Sequence, residues 1–290
     1  MRELPFLKPV AKLEDLRVLD PVVDRLRPLL LKVMKPRALE DVLHGVPAGH
    51  PVHPVLVQIP VGTWTSAALL DALPGTARTA RLLVGVGLVA AAPAILTGWA
   101  DWARSGRREQ RVGLVHAAAN EIGWVLYALS WADRRWGSEG RGRVLGWTAY
   151  GLIGVGGYLG GHLGYRQAVG ANRAQAVLTR FPAGWHPIGA LEDLPEEAPV
   201  RREVGGEQLF VLRRGGRVDV LADVSSHLGE PLSDGVLTDP GHGRATVTTS
   251  AGSEFEIATG EVVHGPATAP AVRLESRVNG DLVEVRLPQP

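Results

Sequence analysis

Two kinds of hydrophobic pattern divide this chain. Between His53 and Tyr165 the apolar residues come in long runs: His53 to Leu73, Leu82 to Trp102, Val112 to Trp131 and Val144 to Tyr165. Each run is close to the roughly 20 residues a helix needs to cross a bilayer. Neither "LLVGVGLVAAAPAILTGW" nor "VLGWTAYGLIGVGGYLGG" keeps the polar stripe that a helix of a soluble bundle would show. The runs therefore predict four membrane-spanning helices joined by short, Arg-rich loops. From about Trp185 the pattern turns to alternation. "VRREVGGEQLFVLRRGGRVDVLADV" reads as strands separated by Gly-Gly turns, and "VRLESRVNGDLVEVRL" reads as a hairpin around Asn279-Gly280. The expected fold class is α+β and multidomain, an N-terminal four-helix transmembrane bundle followed by a small antiparallel β-sandwich. The expected boundaries are 1–48 for a basic amphipathic segment, 49–168 for the bundle, 169–183 for a linker and 184–290 for the β domain.

Basic residues orient the bundle. Lys32, Lys35 and Arg37, the Arg104 to Arg111 loop, and Arg166, Arg173 and Arg180 fall on one side, which predicts both termini in the cytoplasm. Trp64, Trp99, Trp102, Trp131 and Trp147 lie mostly near the expected helix ends, as an interfacial belt would. Met1 to Gly45 is charged and interrupted by prolines, unlike a signal peptide, and "RLRPLLLKVM" reads equally as a basic amphipathic segment on the inner leaflet and as a simple helical lead-in to the first span. The excess of Arg over Lys, with abundant Ala, Gly and Val, fits a bacterial source. The expected location is the bacterial inner membrane and the expected partner is the lipid bilayer. A net charge of +1 over 290 residues gives no bias toward nucleic acid.

Candidate chemistry is narrowed by what is missing. The chain has no cysteine, which excludes disulfides, thiolate nucleophiles and cysteine-ligated metal sites. No Ser/His/Asp spacing, phosphate loop or paired-carboxylate pattern stands out, so no catalytic residue is expected. The histidines of the apolar part are more informative. His50, His53, His116 and His162 all fall toward the cytoplasmic end under the expected topology, and ionisable groups at that level form a candidate site for haem or a metal ion. Interfacial hydrogen bonding is the competing reading of the same four residues. Glu121, in the third run, calls for a buried hydrogen-bond partner.

The quoted runs carry a resemblance. "GHPVHPVLVQIPVGTWTSAALLDAL", "LTGWADW", "GLVHAAANEIGWVLYALSW" and "GGYLGGHLGYRQAVG" together resemble the bacterial membrane family called domain of unknown function 2231. That resemblance implies a four-span membrane module, often joined to a C-terminal Rieske-type ferredoxin domain. The β tract resembles such a domain. "SSHLGEPL" runs in frame with the family's Cys-x-His-x-Gly-x-x-Leu loop, "TTSAGSEF" with its Cys-Pro-x-His-Gly-Ser-x-Phe loop, and "FEIATGEVVHGPATAP" continues as the family does. The resemblance places the cluster-ligand positions at Ser225, His227, Thr248 and Ala251, where only His227 is a ligand of the family type.

A Rieske centre takes two thiolates and two imidazoles. The expectation is therefore a Rieske-like fold with a degenerate site and no cofactor there, acting as a non-catalytic binding, structural or regulatory module with a protein partner at its loop tip. His264 and His242 are read as solvated loop histidines, not as zinc ligands beside His227. The alternative is a redox or transport membrane component, with haem or metal held by His50, His53, His116 and His162.

Overall fold

The computed structural model describes residues 8–239, 241 and 244–289. The chain divides into two units, one drawn from Met1–Lys35 and Pro51–Val169, the other from Pro36–His50 and Gly170–Pro290. His242 lies outside the described residues.

The first unit is helical. It contains α1 (Lys8–Glu14), α2 (Asp20–Val33), α4 (His53–Leu56), α5 (Gln58–Asp71), α6 (Ala77–Arg104), α7 (Arg107–Trp136) and α8 (Glu139–Gly161), with a π-turn over His162–Arg166. Local chemistry sets the ends. Glu109 opens α7 and Arg134 and Arg135 close it, which suits the helix dipole, and the Ser138 hydroxyl accepts from the Arg141 N–H to cap α8. Among the described residues two helices, α6 and α7, are long and apolar enough by length and composition to cross a membrane. This is narrower than the four spans expected, and the reasons are visible in the sequence. The first run breaks at Val57 into α4 and α5, where Pro60 has no N–H to bond back one turn. The fourth forms the single helix α8, but its glycines dilute its apolar character.

Packing in this unit relies on small residues beside large rings. Trp64 stacks on Tyr127 with ring centroids 4.4 Å apart, and it sits so close to α6 that a Cβ on Gly87 would lie 2.2 Å from its Nε1. At the far ends of α5 and α7, Arg134 and Asp71 form a buried two-pronged ion pair at 2.6 and 2.5 Å. Removing either partner of a pair like this costs about 3–5 kcal/mol, because the other charge is left uncompensated. At the opposite end Arg111 grips Asp20 through two hydrogen bonds of 2.8 Å and reaches the Glu14 carbonyl at 2.9 Å. The guanidinium holds the Asp20 carboxyl below its usual range. These contacts seat α1 and α2 on the helical unit.

The second unit is a β domain with one added helix. Its strands are β1 (His186–Ala190), β2 (Pro199–Val204), β3 (Glu207–Arg214), β4 (Arg217–Ala222), β5 (Val236–Thr238), β6 (Thr246–Thr248), β7 (Glu254–Glu256), β8 (Val262–His264), β9 (Arg273–Asn279) and β10 (Leu282–Arg286). They form a six-stranded antiparallel sheet in the order β1-β10-β9-β4-β3-β2 and a four-stranded one in the order β5-β6-β7-β8. The smaller sheet is thus inserted between β4 and β9. Asn279 pairs with Leu282 across the β9–β10 turn, where Gly280 takes a positive φ of 61°. Phe210, Leu212 and Leu221 of the larger sheet pack with Val247 and Phe255 of the smaller one and with Ile257 just past β7, all essentially inaccessible to solvent. A short helix, α9 (Val177–Arg180), adds Val177 to the core on the other face of the larger sheet. The added helix, α3 (Arg37–His44), comes from the N-terminal part of the chain and packs against β8.

Candidate functional site

Two loops meet beside the smaller sheet. The first, 223–235, follows β4, and its start is pinned by Asp223. That carboxylate accepts from the Ser233 N–H at 2.7 Å and from the Arg201 guanidinium at 2.8 Å. Within the loop the Ser225 N–H donates to the Glu230 carbonyl at 2.7 Å, and Gly229, at φ 74°, donates its N–H back to the Ser225 carbonyl at 3.0 Å. The second loop, 249–253, is a tight turn closed by the Thr249 N–H to the Ser253 carbonyl at 2.8 Å, with Gly252 at φ 97°. A left-handed backbone at both glycines is what lets two such short loops fold back to one tip.

The positions expected to carry ligands lie on these loops. Ser225 is fully buried, and its hydroxyl accepts the His227 N–H at 3.3 Å. Thr248 ends β6 opposite Glu254, and Ala251 is buried at the turn. The link between the loops is made by a residue that the sequence did not single out. The Glu230 carboxylate accepts from the Ser250 hydroxyl and from the Ala251 N–H, the latter at 3.3 Å. A third segment closes the tip: Ser226 donates to the Ala269 carbonyl at 2.6 Å, and the Ala267 N–H donates to Ser253 at 3.0 Å. The Arg173 N–H adds a bond to the Ser226 carbonyl at 3.0 Å.

His264 corrects an expectation. It is 7% exposed and is not a solvated loop residue. Its Nδ1 lies 2.7 Å from Asp41 and its Nε2 3.5 Å from Glu40, both on α3, and Asp41 also accepts the Gly265 N–H at 2.9 Å. Arg37 of the same helix pairs with Glu254. The carboxylates raise the His264 pKa, Glu40 most, against the opposing effect of burial. No sequence signal could have linked this histidine to a helix more than 200 residues away.

Of the four histidines of the apolar part, His53 and His116 lie with ring centroids 6.5 Å apart, and His162 bonds to Glu14 at 2.9 Å. Among the described residues no group of three or more His, Asp or Glu side chains is placed to hold a metal ion. Glu121 accepts the Trp99 indole N–H at 2.6 Å, with both side chains half-buried.

Comparison with known proteins follows the same division. Residues 49–173 match the family described as "Predicted membrane protein (DUF2231)", and residues 184–283 match the Rieske [2Fe-2S] domain. The ferredoxin subunit of anthranilate 1,2-dioxygenase from Burkholderia cepacia is 30% identical over 105 residues, which make up 36% of this chain and 94% of that protein. This chain belongs to the Rieske family through its β domain, fused behind a DUF2231 membrane domain. The Rieske unit also aligns with solved structures. The ferredoxin of carbazole 1,9a-dioxygenase from Nocardioides aromaticivorans IC177 is 21% identical over 36% of this chain and 97% of that one, with a TM-score of 0.32. A complex of reduced oxygenase and oxidized ferredoxin in carbazole 1,9a-dioxygenase gives 26% identity over 35% and 91%, with a TM-score of 0.31.

Membership corrects the expectation about cofactors. The Rieske match and the ferredoxin relative point to a [2Fe-2S] cluster as the group that goes with these two loops, where no cofactor was expected. Whether this chain's residues fit that group is a question of donor atoms. The cluster takes two thiolates on one iron and two imidazoles on the other. Ser225 and Thr248 offer hydroxyls that stay protonated near neutral pH, Ala251 offers a methyl group, and His227 alone is of the required type. The residues do not fit the cluster, and no electron-transfer step is derived through it.

Proposed function

We propose that this protein is a membrane-anchored Rieske-like module with a degenerate cluster site, which binds a protein partner through its loop tip and serves a structural or regulatory role beside membrane redox proteins. One observation carries the reading: hydrogen bonds accepted by the Glu230 carboxylate from Ser250 and Ala251 join the two tip loops, at a site where one of four ligand positions retains a residue of the cluster type. The tip keeps its shape through the protein's own side chains, and a retained scaffold without its ligand set is suited to recognition. The relative from Burkholderia cepacia is named as one subunit of anthranilate 1,2-dioxygenase, its ferredoxin subunit. The membrane part of the proposal is a four-span domain with both termini in the cytoplasm of a bacterial inner membrane. The 23-residue α8 supports it, since at 1.5 Å per residue its length of about 34 Å is enough for a hydrocarbon core of roughly 30 Å.

Photo-crosslinking in native membranes tests the docking face. A photoreactive residue in place of Ser250 or Pro231, both exposed at the tip, is expected to trap one discrete protein. The same residue in place of Asp281, on the β9–β10 turn, is expected to trap none. Equal labelling from all three positions would reject the tip as the docking face.

A further inference from the structure

A cleft of about 310 Å³ lies on the larger sheet of the β unit. It is lined by Trp185, by Arg217 and Asp219 of β4, and by Arg273, Glu275 and Ser276 of β9, and by no residue of the two tip loops. That volume falls at the lower end of the roughly 300–1,000 Å³ typical of small-molecule sites. Strand alternation fixes which side chains look into it. Val218, Val220 and Leu274 belong to the core on one face of the sheet. Arg217, Asp219, Arg273 and Glu275 therefore project from the other, the face on which Phe210, Leu212 and Leu221 meet the smaller sheet. Strand register adds Arg214, opposite Arg217, and Arg277, Glu284 and Arg286 of the β9–β10 hairpin to the same face.

Five arginines thus share this face with three carboxylates, an excess of two positive charges, and every carboxylate is already engaged. Asp219, only 5% exposed, accepts from Arg214 Nε at 3.0 Å and from Arg217 Nε at 2.7 Å. Glu275 accepts from Arg286 at 2.6 Å, and Glu284 from Arg277 at 2.7 Å. Arg277 and Arg286 also lie over the Trp185 ring, their guanidinium carbons 4.2 and 4.5 Å from its centroid, so each is held by a carboxylate and by an aromatic face. Arg273 stands apart. It is exposed at the cleft, and among the described residues it makes no hydrogen bond or ion pair, while the Trp185 indole N–H meets no acceptor.

The groups left over at the cleft are donors, and an acceptor-rich anion is what satisfies donors beside an excess of positive charge. A cation would meet only carboxylates that arginines already hold. We infer that this cleft binds the oxyanion of a small molecule, a carboxylate or a phosphate, through the Arg273 guanidinium. The paired N–H groups of a guanidinium match two oxygens of either anion. The inference goes beyond the reading of the tip and stands whether or not that reading holds.

Nitrogen NMR of the full chain in detergent, labelled with 15N at tryptophan, tests it. The chain has eight indole N–H groups, and Trp185→Phe identifies the one at the cleft. Sodium phosphate and sodium succinate are added in separate titrations, with sodium chloride holding the ionic strength constant. The expected result is a saturable shift of the Trp185 signal while the other seven stay in place. Saturation by phosphate alone assigns a phosphate ligand, saturation by succinate alone a carboxylate, and saturation by both a site for either. In Arg273→Gln the affinity is expected to fall about tenfold or more, the loss that goes with a hydrogen bond to a charged group. Arg244→Gln, which removes an exposed arginine that does not line the cleft, is expected to leave it unchanged. No saturation by either anion, an equal shift of all the indoles, or undiminished affinity in Arg273→Gln would overturn the proposal. If that variant displaces the other seven signals before any anion is added, the titrations of the unmodified protein decide the matter alone.

Discussion

At the loop tip single atoms decide what the site can hold. A hydroxyl at 225 and 248 and a methyl group at 251 leave His227 as the only side chain of the cluster type, although the loops around them keep the turn glycines and the buried Leu232 and Phe255. Changing Ser225→Cys, Thr248→Cys and Ala251→His together supplies two thiolates and a second imidazole on the same backbone. Purified from cells making clusters, that variant is expected to contain about two irons per chain and to show Rieske absorption and electron paramagnetic resonance. Iron no higher than in the unmodified protein would mean that the loops no longer hold ligand spacing. The donor set was legible in the sequence because it depends only on which residue stands where. The part played by Glu230 was not, since a carboxylate in a loop reads the same whether it faces solvent or the opposite turn.

At the scale of elements, α3 shows how tertiary contact reassigns a segment. Its sequence belongs to the N-terminal segment 1–48, set apart as basic and amphipathic, and it packs on the edge strand β8 through Asp41, Glu40 and Arg37. His264 ties this helix down, and the tie depends on its charge. The folded-state pKa lies above the ordinary 6.5, so the stabilisation is full below about pH 6.5 and fades as pH rises through the raised value. Arg37 opposes the protonated ring, whereas Glu40 and Asp41 favour it. Hydrogen exchange in α3 is therefore expected to accelerate from pH 6 to pH 9 by more than the chemistry of exchange alone requires. His264→Ala should remove that excess, exchanging fast at both pH values. An α3 equally protected at both ends of the range in the unmodified protein would show that the histidine does not hold it. The strands around β8 were legible from alternation and the Gly-rich turns, but the helix covering them was not, because its carboxylates carry no mark of a partner so distant in sequence.

For the whole molecule, the number of helices that cross the membrane sets which loops face which side. The absence of native cysteine makes the test direct, since each introduced thiol is the only one in the chain. Four spans with cytoplasmic termini place Pro74→Cys and Ser138→Cys outside, where an impermeant maleimide is expected to label them in spheroplasts. Ser105→Cys and Gln175→Cys should then react only after the membrane is opened. If α6 and α7 alone cross, Gln175→Cys reacts together with Ser138→Cys, and the four-span arrangement fails.

The sequence by itself determined the two-part architecture, the membrane character of the first part, the β fold of the second and the absence of cysteine. Each of these follows from composition, periodicity or side-chain identity along short stretches, and short stretches can be read without a fold. Only the tertiary structure decided that the His53 and His116 rings lie 6.5 Å apart while His162 bonds to Glu14. It also decided that Glu230 joins the tip loops and that His264 is buried against α3. Those outcomes rest on distances between groups far apart in the chain, set by how glycines let helices and loops approach, and hydropathy along the chain carries no record of them.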